Sequence, residues 1–133
     1  MVPPFGLPIT SLVALPLTLL IIGLAYRVVL LRRSEKVGVG SGNSKPLALA
    51  MAAHSNAIEN VPLALILFAM AEFKGVNSIF LLVTGILFVI GRGLNAWGVG
   101  NHANYSVGRY YGTVITWLIM IVLAVLNFWL VVS

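Results

Sequence analysis

The chain has no cysteine, no aspartate and very few charges of either sign. Without cysteine there is no disulfide, no thiolate metal site and no protein thiol nucleophile, so any sulfur chemistry must come from a substrate. Two histidines, His54 and His102, are too few and too far apart for a metal centre. Charged residues make up 8% of the chain, where a soluble domain carries about a quarter. What is present instead is apolar: 60% of the 133 residues are hydrophobic and the mean hydropathy is +1.06. Lipid is the solvent that suits such a surface. The net charge of +5 does not point to nucleic acid, because the basic residues flank apolar runs.

The apolar runs number four. The first covers residues 5–31, longer than the roughly 20 residues a span needs. It is too long for the core of a signal peptide, lacks a basic start and shows no clear small-residue cleavage site, so it reads as a mature helix. Pro3, Pro4 and Pro8 place its start between Leu7 and Thr10, Pro16 bends it, and Arg27 snorkels or faces the bundle. Residues 32–45 form a hydrophilic loop with Arg32, Arg33, Lys36 and Lys45 against Glu35, broken by Gly38, Gly40 and Gly42. A second helix over 47–73 ends in a polar turn at Glu72–Gly75. A third runs over 77–99, with Gly85, Gly91, Gly93 and Gly98 allowing close backbone approach. A second polar loop spans 98–106, and a fourth helix covers 107–131. The expected fold over residues 1–133 is a single all-α domain, an antiparallel four-helix transmembrane bundle. The basic first loop puts both polar loops in the cytoplasm and both termini outside.

The second run is interrupted by His54-Ser55-Asn56-Ala57-Ile58-Glu59-Asn60-Val61-Pro62. An imidazole, two amides and a carboxylate are costly in hydrocarbon and must face protein or water. On a helix, Asn56, Glu59 and Asn60 share a stripe, with His54 roughly opposite Asn56. Pro62 leaves the carbonyl of Ile58 without its helical donor. Antiparallel threading brings Arg27, Arg32, His54, Asn56, Glu59, Arg92, Asn95 and Arg109 to one end of the bundle. A Glu59–Arg92 ion pair is the natural way to keep both ions in the bilayer. Together these residues describe a cationic pocket opening to the cytoplasm. Each also has a plainer reading. Arg32 and Arg33 are topology signals elsewhere, Glu59 with Arg92 would serve as a clamp, His54 would bridge helices, and the tyrosines near 105–111 would be interfacial aromatics.

The stretch from Ala53 to Pro62, followed by Gly91-Arg92 and by Arg109 opening the fourth helix, resembles the membrane-associated proteins in eicosanoid and glutathione metabolism, the MAPEG family. The small bacterial members are the nearer likeness. The resemblance implies a homotrimer of four-helix bundles, in which glutathione binds as co-substrate between subunits near the cytoplasmic face. It implies that Asn56 and Glu59 hold the glutathione backbone, Glu59 accepting from its amino group, that Arg32 meets a carboxylate, and that Arg92 contacts the peptide or supports Glu59. Arg109 aligns with the arginine that stabilises the thiolate. His54, Asn95 and Tyr110 complete the implied glutathione-binding set, with no metal. The chain departs from some members at Ala52, where they have arginine, and at Thr113, where they have tyrosine.

The implied activity is glutathione transfer to hydrophobic electrophiles arriving through the bilayer, with lipid hydroperoxide reduction as an extension. A bacterial inner membrane is the implied location. Two other classes compete: a non-catalytic lipid-binding scaffold of the same fold, and a small multidrug-type transporter built around Glu59. Arg92 and Arg109 argue against the transporter, because a cation exporter would not set arginines beside its acidic site.

Overall fold

A computed structural model describes residues 6–101 and 106–133. The described residues form four helices and no strand: α1 (Pro8–Glu35), α2 (Lys45–Phe73), α3 (Ser78–Asn101) and α4 (Val107–Val132). All four are long and apolar enough to cross a membrane. At 1.5 Å per residue they extend about 36–44 Å, beyond a hydrocarbon core of about 30 Å.

Local chemistry sets the helix ends. Pro8 opens α1 at a position where its missing N–H is no loss. Ser44 caps α2 by accepting from Leu47 N, and Ser106 caps α4 by accepting from Arg109 N. Asn77 Oδ1 accepts from Phe80 N at 3.0 Å at the start of α3. Helix α1 continues four residues past the expected stop at Leu31, so Arg32 and Arg33 belong to its last turn, where cations suit the carbonyl end. The loop shortens accordingly to residues 36–44. Helix α3 also runs past Val99 to Asn101. Pro16 and Pro62 both lie inside continuous helices.

Contacts between helix ends fix the threading. Glu72, at the end of α2, accepts from Ile9 N at 2.7 Å and from Thr10 N and Oγ1 at 2.8 Å each. The expected simple turn residue is thus a carboxylate cap on the first turn of α1. Lys74 donates to the carbonyl and side-chain oxygens of Asn127 at 3.1 and 3.3 Å. The start of α1 and the ends of α2 and α4 therefore share one end of the bundle. At the other end, Arg27 Nη2 donates to Gly100 O at 2.9 Å, tying the ends of α1 and α3.

The core follows a helical stripe on each span. On α2 the buried positions are Leu47, Ala50, Ala53, Ala57, Val61, Ala64, Phe68 and Ala71, a spacing of three and four residues. On α4 they are Gly108, Gly112, Thr116, Ile119, Leu123 and Asn127. Phe68 and Phe88 meet edge to face at 6.0 Å between α2 and α3. Helix α3 packs on all three others, whereas α1 and α4 do not pack on each other within the described residues. The outward faces stay apolar, with residues such as Leu15, Ile66, Ile86 and Val125 exposed, as a lipid-facing surface requires.

Candidate functional site

Arg92 is the organising residue. It lies on α3, nine residues before Asn101, a depth of about 14 Å, and is 1% exposed. A buried guanidinium needs acceptors. Its Nη2 donates to Asn56 Oδ1 at 2.6 Å and to Asn95 Oδ1 at 3.2 Å, and its Nη1 donates to Thr116 Oγ1 at 3.3 Å. One cation thus joins α2, α3 and α4. All three acceptors are neutral, and Arg92 Nε has no partner among the described residues.

The expected Glu59–Arg92 ion pair is absent. Glu59 is exposed and makes no hydrogen bond among the described residues. The buried stripe of α2 passes through Ala53, Ala57 and Val61. Asn56 borders that stripe and reaches Arg92, while Glu59 lies further round, on the outer surface. Asn60 donates back to Asn56 O at 2.8 Å. His54 is half-buried, without a hydrogen bond among the described residues.

Asn95 is fully buried. Its amide nitrogen donates to Thr113 Oγ1 at 2.8 Å and to Arg109 O at 3.4 Å. Thr113 also donates to Arg109 O at 2.8 Å. The polar residues of α3 therefore hold the first turn of α4, which carries Arg109. With Tyr110, Thr113, Val114 and Trp117, Arg109 lines an open cleft of about 320 Å³ along α4. Tyr110 packs edge to face on Tyr111 at 5.1 Å. The cleft combines a cation at the positive end of a helix with apolar and aromatic walls, which suits an anion joined to an apolar molecule.

Arg32 is half-buried and holds the first loop. Its Nη1 donates to Gly40 O at 2.7 Å, and its Nη2 approaches Met51 Sδ at 3.7 Å. Asn56, Arg92, Asn95 and the first turn at Arg109 are thus brought together in one chain, whereas Arg32, His54 and Glu59 stand apart from that network. His102 and Asn104 lie outside the described residues.

Sequence reasoning missed Thr113 and Thr116 as partners and Gly108 and Gly112 as packing positions. A signal was available, since 108, 112 and 116 recur at four-residue spacing on α4. Among the glycines expected to allow close approach, Gly91 and Gly98 abut α4 and Gly85 abuts Val13, but Gly93 faces open space.

Two curated relatives share 28% identity over 121 residues, 91% of this chain and 91% of theirs. Both are named inner membrane protein YecN, one from Escherichia coli K12 and one from Escherichia coli O6:H1. A family model matches residues 10–129, which takes in all but the outermost residues of the four spans and every polar residue of the site: the chain belongs to the MAPEG family.

Proposed function

We propose that this chain is a membrane-bound glutathione transferase that holds glutathione as a thiolate for attack on hydrophobic electrophiles. The observation that carries the reading is Arg109, in the first turn of α4, lining an apolar cleft while its backbone is bonded to the polar network of α3. A free thiol has a pKa of about 8.5 and is mostly protonated at neutral pH. A guanidinium and a helix N-terminus beside the sulfur favour the charged form. The thiolate then forms a C–S bond. In conjugate addition the displaced π pair takes a proton; in substitution the leaving group departs with its electron pair. Reduction of lipid hydroperoxides would use the same activated sulfur: the thiolate attacks the peroxide oxygen, the O–O bond breaks to release the alcohol, and a second glutathione converts the resulting sulfenic acid to glutathione disulfide and water.

The α2 motif supports the binding half of this reading. Asn56 spends its Oδ1 on Arg92, and its amide nitrogen makes no bond among the described residues. Glu59, one turn on, is exposed with both carboxylate oxygens open. A donor and an anionic acceptor at this spacing suit a peptide carbonyl and an ammonium group. Arg32, His54 and Tyr110 would add contacts to the carboxylates and the thiol-bearing residue. In a homotrimer, a neighbouring subunit would cover the outward Glu59. Similarity to an inner membrane protein supports placement in a bacterial inner membrane; the basic first loop favours both termini periplasmic and the site facing the cytoplasm.

The test is conjugation of glutathione to a chromogenic electrophile by the purified protein in liposomes. Arg109→Ala should remove most turnover, on the order of 100-fold, the size seen when one electrostatic stabiliser is lost. Unchanged turnover in that variant ends the assignment. Glutathione at 100 times its dissociation constant should also stabilise the fold by about 2.7 kcal/mol. The apolar walls of the cleft, Val114 and Trp117, favour the lipid-binding scaffold as the second reading. A melting temperature that responds to lipid and ignores glutathione would select it.

A further inference from the structure

Asn95 is the polar residue through which α3 is bonded to the first turn of α4. It is fully buried within the subunit, and both ends of its amide are used. Arg92 offers only donors, so the oxygen of Asn95 must face it, at 3.2 Å. That choice leaves the NH₂ for α4, where it meets Thr113 Oγ1 at 2.8 Å and Arg109 O at 3.4 Å. A line of bonds therefore runs from Asn56 on α2 through Arg92 and Asn95 on α3 to Thr113 and the Arg109 backbone on α4.

The glycines remove the slack from this line. A Cβ on Gly112 would lie 2.5 Å from Asn95 N, one on Gly108 would lie 2.7 Å from Leu94 O, and one on Gly98 would collide with Arg109 N. The first turn of α4 thus lies directly on the α3 backbone. Packing fixes its distance from α3, and the Asn95 amide fixes its register and rotation.

We infer that Asn95 is the positioning residue for Arg109: through Thr113 and the Arg109 carbonyl it sets where the guanidinium sits in the cleft, and through Arg92 it couples that setting to Asn56 on α2. This rests on the thiol-activating role proposed for Arg109 and deepens it. A side chain that only held the bundle together would affect stability alone. A side chain that aims Arg109 affects the charge state of the bound thiol.

The experiment uses the full chain in liposomes, with glutathione and a chromogenic electrophile. Asn95→Ala should lower kcat by about 10- to 100-fold, the effect of a small misplacement of a charged group, with KM for glutathione changed by less than about threefold. The acid limb of the pH–rate profile should move to higher pH, because the thiol is harder to ionise. Thr113→Val should behave alike, and Thr113→Ser should restore activity. A pH limb that stays in place, or a Thr113→Ser variant no better than Thr113→Val, overturns the proposal. Melting temperatures give a readout independent of glutathione. Asn56→Ala and Thr113→Val should shift Tm non-additively if the two are joined through Arg92 and Asn95. Additive shifts overturn the coupling. A wild-type chain with neither turnover nor a glutathione-dependent Tm overturns the thiol reading and the aiming role with it, while the Tm cycle separately decides whether the coupling exists.

Discussion

Arg92 carries a full charge within the bilayer zone, surrounded by neutral oxygens rather than an acid. Hydrogen bonds to a charged group contribute about 1.5–3 kcal/mol each, more than neutral ones, so Asn56, at 2.6 Å, is the most consequential of the three acceptors. Asn56→Ala should therefore destabilise the protein by about 1.5–3 kcal/mol, read from unfolding in mild detergent. Asn56→Asp should lose less, because a carboxylate of the same shape makes the same bond with charge assistance. Equal losses in the two variants would show that Arg92 does not depend on this acceptor. Glu59 was the partner the sequence favoured, since opposite charges at comparable depth attract. Which side of α2 turns inward decides otherwise. The alanine stripe at 50, 53 and 57 packs inward, and that rotation brings an amide, not the carboxylate, to Arg92.

Among the helices, α3 and α4 form the most intimate pair. Gly91, Gly98, Gly108 and Gly112 bring the two backbones into contact, as small residues do where helices associate in lipid. Substituting them should reverse the usual preference of helices for alanine over glycine. Gly93→Ala, with nothing within 4 Å of the new methyl, should be neutral or stabilising by up to about 1 kcal/mol. Gly112→Ala, whose methyl would sit 2.5 Å from Asn95 N and 2.7 Å from Asn95 Cβ, should cost about 1–3 kcal/mol through overpacking. Thermal melts of the two variants give the comparison, and a Gly112→Ala protein as stable as Gly93→Ala would contradict the packing described. Helix α1 is held differently. Few of its side chains are buried, and its two ends are pinned by polar contacts, Glu72 at the start and Arg27 at the finish.

Among the described residues, the polar contacts between helices gather in two layers. One layer holds Glu72, Lys74 and Asn127; the other holds Arg27, Arg32 and the network around Arg92. Cationic groups dominate the second layer, which is the basis for placing it toward the cytoplasm. Because the chain has no cysteine, single-cysteine variants report topology directly. Asn77→Cys should react with a membrane-impermeant maleimide in intact cells, and Ser41→Cys only after permeabilisation. The reverse pattern would invert the orientation and turn the cleft at Arg109 to the outside.

Composition and periodicity by themselves determined the four spans, the order of their polar ends and the polar stretch of α2 that supplies Asn56. Hydropathy over twenty residues is a local property, and so is the position of a capping serine or a proline. The extra turn of α1 was not legible, because Arg32 and Arg33 suit a polar loop as well as they suit the carbonyl end of a helix. Only the packed structure decided which partner Arg92 takes, that Glu72 caps a helix 62 residues away in sequence, and that Asn95 grips the turn bearing Arg109. Each of these depends on how far a helix is rotated about its own axis. That rotation is set by the glycine and alanine contacts of neighbouring helices, which no single segment contains.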